Sequence, residues 1–336
     1  MLLSYFYKLI LSLSFYGASV IASEYYFPLE GKKTYIAGST GMVGTALLKF
    51  CEQEGCNILT TTRSELDLMS QSAVNLYFEE NKPEVVFLVA AYVGGILENM
   101  TKAATMISDN LIIERNVIHA AYLYGCQKLV FVGSAAVYPD GITRALTESD
   151  LLTGSLDETK RSYALAKIAG IELCRAYKIQ HGCDFVAGLP NNIYGPKDNY
   201  HPLSGHLLSA LIQKVHKAKL EGASSIEIWG SGLPRRELCY VDDVARALIH
   251  IAKFYTGESA VNIGTGEDYS ITEIANFVCD ALDYPCQFTY NSSKPDGTMR
   301  RLLDVSLLRS LGFCHEVDVR EGIRRAYEWF LSESNK

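Results

Sequence analysis

The sequence is poor in what would tie it to nucleic acid, to a metal or to a disulfide framework. Acidic residues outnumber basic ones, 38 to 31, for a net charge of −7. A nucleic-acid reader needs a basic face, so that class of partner is not expected. The nine cysteines are odd in number and show neither a Cys-x-x-Cys pair nor zinc-like spacing. Scattered thiols in a reducing compartment are the expectation, with no metal site. No internal repeat, low-complexity tract or evident linker interrupts the chain. What remains is 336 residues with 48% hydrophobic and 21% charged content, the proportions of a globular protein. That length allows one large α/β domain with a smaller lobe, or two domains.

The N-terminus points elsewhere. Lys8 precedes an apolar run, Leu9 to Ala22, that ends in small residues. The run resembles a secretory signal, with Val20-Ile21-Ala22 as a cleavage site. It is short for a spanning helix, although Leu2 to Ala22 with its single lysine is nearly long enough. A cleaved signal, a retained anchor and a start assigned too far upstream all stay open. Membrane contact is expected only if residues 1–23 are retained as an anchor. Asn99-Met100-Thr101 and Asn291-Ser292-Ser293 are glycosylation sequons, a common chance pattern. Residues 1–29 are set aside as an extension.

From Lys33 the chain reads as strands alternating with helices. The β-prone Lys33–Ala37 runs into Gly38-Ser39-Thr40-Gly41-Met42-Val43-Gly44, and an amphipathic stretch with Leu47, Leu48 and Phe50 follows. Strand, glycine turn and helix N-terminus together form a seat for a pyrophosphate, because the glycines allow close backbone approach and the helix end favours an anion. Gly38, Thr40, Gly41, Met42, Val43 and Gly44 are the candidate cofactor residues. The second strand, near Asn57–Thr61, leads to Thr62 and Arg63 with no acid before Glu65. An acid there would favour NAD, whereas Arg63 suits a 2′-phosphate, which tilts the reading toward NADP(H). Asp67 is placed near the adenine.

The apolar strands Val85–Leu88, Leu129–Val132 and Asp184–Leu189 describe a parallel sheet covered on both faces, a doubly wound α/β fold of Rossmann type. Ser134 stands at the carboxyl end of one of them, where such sheets bind ligands. Tyr163 and Lys167, four residues apart on a helix expected to end near Tyr177, share one face. An ammonium beside a phenol eases its ionisation, and the pair suits proton transfer at a hydroxyl or carbonyl. Residues 30–189 are assigned to the dinucleotide domain. Residues 190–336 are assigned mainly to a smaller α/β substrate lobe, with some segments returning to the first domain. Arg235-Arg236 and Arg300-Arg301, in glycine-rich loops, suggest a phosphate-bearing substrate.

Gly38–Gly44, Ser134, Tyr163 and Lys167, in this order, resemble the extended short-chain dehydrogenase/reductases. Val93-Gly94-Gly95-Ile96, Asn192–Pro202, Trp229–Glu237 and Ser293–Arg300 resemble, more closely, the GDP-L-fucose synthase family. The resemblance implies a GDP-4-keto-6-deoxy-hexose substrate, NADPH, inversion at C3 and C5, and reduction at C4. It implies Tyr163 as proton donor, Lys167 on the nicotinamide ribose, Ser134 on the C4 oxygen and His201 as an acid–base group. Asn192, His201, Trp229, Arg236 and Arg301 would bind substrate, and a cytoplasmic homodimer is expected. The family has a cysteine two residues after the serine, where this chain has Ala136, so the resemblance supplies the reductase half and leaves inversion one group short. A plain 4-reductase, an NAD-dependent 4-epimerase and a non-catalytic dinucleotide-sensing module are the alternatives. A sugar dehydratase is excluded because Ala135-Ala136 provides no acid pair.

Overall fold

A computed structural model describes residues 25–201, 205–294 and 296–334. The signal-like residues 1–23 lie outside the described residues. Strands β1 (Lys33–Ala37), β2 (Asn57–Thr60), β3 (Val85–Leu88), β4 (Lys128–Val132) and β5 (Phe185–Pro190) alternate with helices. These are α1 (Met42–Gln53), α2 (Gln71–Asn81), α3 (Ile96–Thr101), α4 (Ala103–Leu123) and α5 (Arg161–His181). After β6 (Asn192–Tyr194) come α6 (Leu207–Glu221), β7 (Ser225–Trp229), β8 (Arg235–Arg236), β9 (Leu238–Tyr240) and α7 (Val241–Phe254). Then follow β10 (Val261–Ile263), β11 (Tyr269–Ser270), α8 (Ile271–Ala281), β12 (Gln287–Asn291), β13 (Arg300–Arg301), α9 (Ser306–Ser310) and α10 (Val319–Ser334).

Six of these strands form one parallel sheet in the order β10-β5-β4-β3-β1-β2. Successive residues of each strand enter opposite layers of core, as the strand period requires. Tyr35, Val86, Leu129 and Phe131 pack with α2, α4 and α5, whereas Ile36, Phe87, Val130 and Val132 pack with α1 and α7. Both faces are therefore covered, which explains strands that are apolar throughout. A third core joins α6, β7, α8 and α10 in the smaller lobe. The later chain thus contributes β10 and α7 to the large sheet and the remainder chiefly to the lobe.

The strand order reverses between β1 and β3, which opens a crevice at their carboxyl ends. Polar clamps shape the loops around it. Asn110 accepts from the Tyr92 amide at 2.8 Å and donates to the Tyr92 carbonyl at 3.0 Å, holding the loop after β3. Asn116 donates to the Leu68 and Met69 carbonyls, which fixes the loop after β2. Asp67 accepts the Met69 amide within that loop. The sequon residue Asn99 is buried and spends its amide on the Gly94 and Gly95 carbonyls. Helix α5 runs past its expected end at Tyr177, to His181. Gly182 at φ 70° stops it in the left-handed conformation, and Lys178 and His181 in the last turn complement the helix dipole. Among the described residues, no helix is long and apolar enough to cross a membrane.

The two lobes meet at Glu237, whose side chain is fully buried. It accepts from the Asn191 amide at 2.7 Å and from the backbone N–H groups of Thr265, Gly266 and Leu303 at 2.7, 2.8 and 3.0 Å. Substituting Glu237→Ala leaves these donors buried without an acceptor. The expected loss is about 3 kcal/mol or more of unfolding free energy, measured by chemical denaturation.

Candidate active site

The glycine turn at the end of β1 is tight for steric reasons. Gly38 has φ +99°, and a Cβ there would lie 2.7 Å from the Ala90 nitrogen on the neighbouring strand's loop. A Cβ on Gly44 would lie 2.1 Å from the Gly38 carbonyl oxygen. Around Gly41 only that oxygen comes within contact range, at 3.6 Å, so this side of the turn is open. Gly41 is the N-cap of α1 and makes no side-chain cap hydrogen bond, so the first amides of the helix face the opening. The turn therefore fits a pyrophosphate: an open face, orphan amide donors and the positive end of a helix dipole. Thr40 is exposed beside it, and Met42 and Val43 are half-buried at the start of α1. Arg63 is exposed in the loop after β2. The loop is set by Glu65, which accepts the Thr62 amide at 2.7 Å.

Ser134 follows β4 with extended backbone and opens a single 3₁₀ turn, Ala135–Val137, where its hydroxyl accepts the Ala136 amide at 3.1 Å. Tyr163 on α5 shares a hydrogen bond with the Ser134 hydroxyl. Lys167 Nζ lies 5.9 Å from the Tyr163 ring centre and 4.6 Å from that of Phe131, with 2% of the side chain exposed. Ser134, Tyr163 and Lys167 are thus brought together at the carboxyl end of β4. Lys167 acts on the phenol in the expected direction, but burial outweighs it. Burial raises the Tyr163 pKa above its ordinary value; Lys167 pulls it down without overcoming burial, Glu114 adds to the rise, and the Ser134 hydrogen bond opposes it. The phenol holds its proton near neutrality, which suits a proton donor better than a resting base.

The paired arginines divide by strand alternation. Strands β8 and β13 run parallel with Arg235 opposite Arg300 and Arg236 opposite Arg301. Arg235 and Arg300 both bind the Asp268 carboxylate, at 2.9 and 2.5 Å, and are committed to structure. Arg236 and Arg301 point the other way. Arg301 donates to the Ala135 and Tyr138 carbonyls at 3.0 and 3.2 Å, which seats it against the turn that follows Ser134. Arg236 donates to the Thr298 carbonyl at 2.7 Å.

Lys160, at the N-cap of α5, belongs to this group and was not singled out from the sequence. Burial lowers its pKa; the Arg301 and Arg236 charges act in the same direction, and Asp157 and Asp140 oppose them. Only its place three residues before Tyr163 could have flagged it. Trp229 is half exposed, with Lys214 and Lys294 at 5.3 and 5.2 Å from its ring centre. Asn192 is exposed and anchored to the Glu237 carbonyl at 2.8 Å. His201 is exposed in the loop after β6, and Lys197 of that loop reaches Thr45 of α1 at 3.1 Å. Ala136, two residues after Ser134, carries only a methyl group.

Residues 34–264 match the NAD dependent epimerase/dehydratase family. Sheet order, glycine turn and Ser–Tyr–Lys cluster together define an extended short-chain dehydrogenase/reductase. GDP-L-fucose synthase 1 of Arabidopsis thaliana is 44% identical over 303 residues, 90% of this chain and 94% of its own. GDP-L-fucose synthase of Escherichia coli is 40% identical, covering 92% of this chain and 99% of its own. Among solved structures, MlghC, a GDP-mannoheptose C4 reductase from Campylobacter jejuni with NADP bound, is 39% identical with a TM-score of 0.82, over 90% of this chain and 98% of that one. The chain belongs to the extended short-chain dehydrogenase/reductases, within the GDP-L-fucose synthase family.

The contact at Gly44 gives a direct test of the seat. Gly44→Ala forces its methyl group against fixed backbone, and NADPH affinity should fall at least about tenfold in a fluorescence titration, a loss of about 1.4 kcal/mol. Unchanged affinity would place the dinucleotide elsewhere.

Proposed function

We propose that the protein reduces GDP-4-keto-6-deoxy-D-mannose at C4 with NADPH, coupled to inversion at C3 and C5 to give GDP-L-fucose. The observation that carries the reading is Ser134, Tyr163 and Lys167 gathered at the carboxyl end of β4, on the same edge of the parallel sheet as the glycine turn that follows β1. The turn and the N-terminus of α1 would hold the pyrophosphate, Arg63 the 2′-phosphate and Lys167 the nicotinamide ribose. When bound, NADPH supplies the hydride for the C4 carbon. Tyr163 gives its phenolic proton to the C4 oxygen as charge develops there, and Ser134 hydrogen-bonds the same oxygen. The Lys167 ammonium offsets the negative charge left on the phenolate.

Arg236, Arg301 and Lys160 form a cationic wall for the diphosphate, and Trp229 and Asn192 are proposed as further substrate contacts. Asp157 and Asp140 keep this wall from carrying unbalanced charge when it is empty. The ketone acidifies the protons at C3 and C5, and His201 exchanges one on its face of the sugar. Exposed Ile112, Leu123, Leu165 and Ile179 on α4 and α5 support a homodimer through those helices. Since GDP-sugars and NADPH are cytosolic reagents, the reading places the enzyme in the cytoplasm.

Ala136 favours one second reading, a 4-reductase that does not invert C3 or C5. Product analysis separates the two: solvent deuterium at C3 and C5 in an L-configured product supports the full synthase, and an unlabelled D-configured 6-deoxy sugar supports the plain reductase. If no NADPH is oxidised with this substrate, both fail. Tyr163→Phe should reduce the rate of reduction by about a hundredfold or more while leaving NADPH affinity near normal. Arg63→Ala should narrow the preference for NADPH over NADH, read as the ratio of kcat/KM values; an unchanged ratio removes Arg63 from the cofactor site.

A further inference from the structure

Helix α4 carries a carboxylate that the reaction, as described above, does not use. Glu114 is fully buried, and its Oε1 lies 3.1 Å from Lys167 Nζ. Neither of its oxygens accepts a hydrogen bond of good geometry from the described residues. Among them, Lys167 is the only cation within ion-pair distance of it. The fold makes room for this pair. A Cβ on Gly170 would lie 2.4 Å from the Phe131 ring and 2.9 Å from Glu114 Oε2, so a glycine inside α5 is what admits the carboxylate. Glycine in a helix interior costs about 1 kcal/mol relative to alanine, and here the notch gives that cost a physical reason.

A buried ammonium without a counter-charge is strongly unfavourable, and so is a buried carboxylate. Each answers the other here, and the pair sits one helical turn from Tyr163. We propose that Glu114 is a positioning residue for the reduction: seated beneath Lys167, it fixes the ammonium beside Tyr163 and limits the positive charge that the phenol experiences. The titrating groups around it are Lys167, Tyr163 and Cys174, all on α5, and β4 contributes the Phe131 ring. Burial raises the Glu114 carboxyl, and Lys167 opposes that rise. Burial likewise holds the Cys174 thiol high, with Glu114 adding to it.

The consequence has a definite sign. The donor form of Tyr163 is the protonated phenol, so reduction fails as pH rises through its pKa. A negative charge at Glu114 opposes formation of the phenolate and keeps the phenol protonated to higher pH. Removing that charge moves the alkaline limb of activity toward neutrality.

The inference rests on Tyr163 as donor, which Tyr163→Phe tests separately through loss of reduction. Its own test compares Glu114→Gln, Glu114→Leu and Glu114→Asp with wild type, in two readouts. The first is the pH profile of kcat for NADPH oxidation. The second, in cofactor-free protein, is the tyrosinate absorbance that disappears on Tyr163→Phe. Both neutral variants should shift both titrations down by about one pH unit or more. Glu114→Asp, which keeps the charge, should stay near wild type. Glu114→Leu keeps the test available should Glu114→Gln fold poorly. Titrations that coincide with wild type in a folded neutral variant overturn the proposal and leave Glu114 a packing residue, whatever happens to Tm. A shift as large in Glu114→Asp as in Glu114→Gln overturns it equally, because geometry rather than charge would then be responsible.

Discussion

Four donors converge on the Glu237 carboxylate, and from this junction the rest of the molecule takes its geometry. They come from the end of β5, the loop after β10 and the segment after β13, which chain order separates widely. Without an acceptor, each donor would be buried and unsatisfied, so the carboxylate fixes three segments at once. One consequence is the seating of β13 beside β8, which turns Arg301 onto the Ala135 and Tyr138 carbonyls. The proposed substrate wall is thereby tied to the turn that carries Ser134.

Burial governs the acid–base chemistry at that turn. Tyr163 experiences one cation and one anion in a low-dielectric setting, and desolvation, with the anion acting in the same direction, outweighs the cation. The neutral phenol is the favoured resting form, which suits the proposed role of giving a proton to a newly formed alkoxide. The same logic applies to the cationic wall. Lys160, Arg236 and Arg301 are drawn out of water near one another, and Asp140 and Asp157 keep the group tolerable. A diphosphate would replace part of that balance.

Ala136 divides the reaction into two questions. Hydride reduction needs an acid at oxygen, and in the proposed site Tyr163 with Ser134 would meet that need. Inversion at carbon needs proton carriers on both faces of the sugar, and an alanine side chain can neither take nor give a proton. The NADP-bound relative at 39% identity is named a C4 reductase, and curated relatives at 40–44% are named GDP-L-fucose synthases. The family therefore holds both outcomes, and the product distinguishes them.

The alternation of apolar strands with helices, the glycine turn after β1 and the Tyr163–Lys167 spacing were legible in the sequence alone. They depend on local rules: strand burial on both faces, backbone approach at glycine, and the helix period. The sequence also showed two arginine pairs, but not that Arg235 and Arg300 serve Asp268 while Arg236 and Arg301 turn toward the active turn. That division depends on which strand lies beside which, and β8 and β13 are more than sixty residues apart in sequence. Glu114 and Glu237 read as ordinary charged residues among 38 acids, and only packing makes them buried anchors. The phenol's net proton affinity lay beyond local pattern for the same reason. The neighbour that lowers it is visible at four residues' distance along the helix, whereas the desolvation that raises it comes from the whole fold. Local pattern picked out the candidate residues for the chemistry; tertiary burial decided their proton affinities and which way they face.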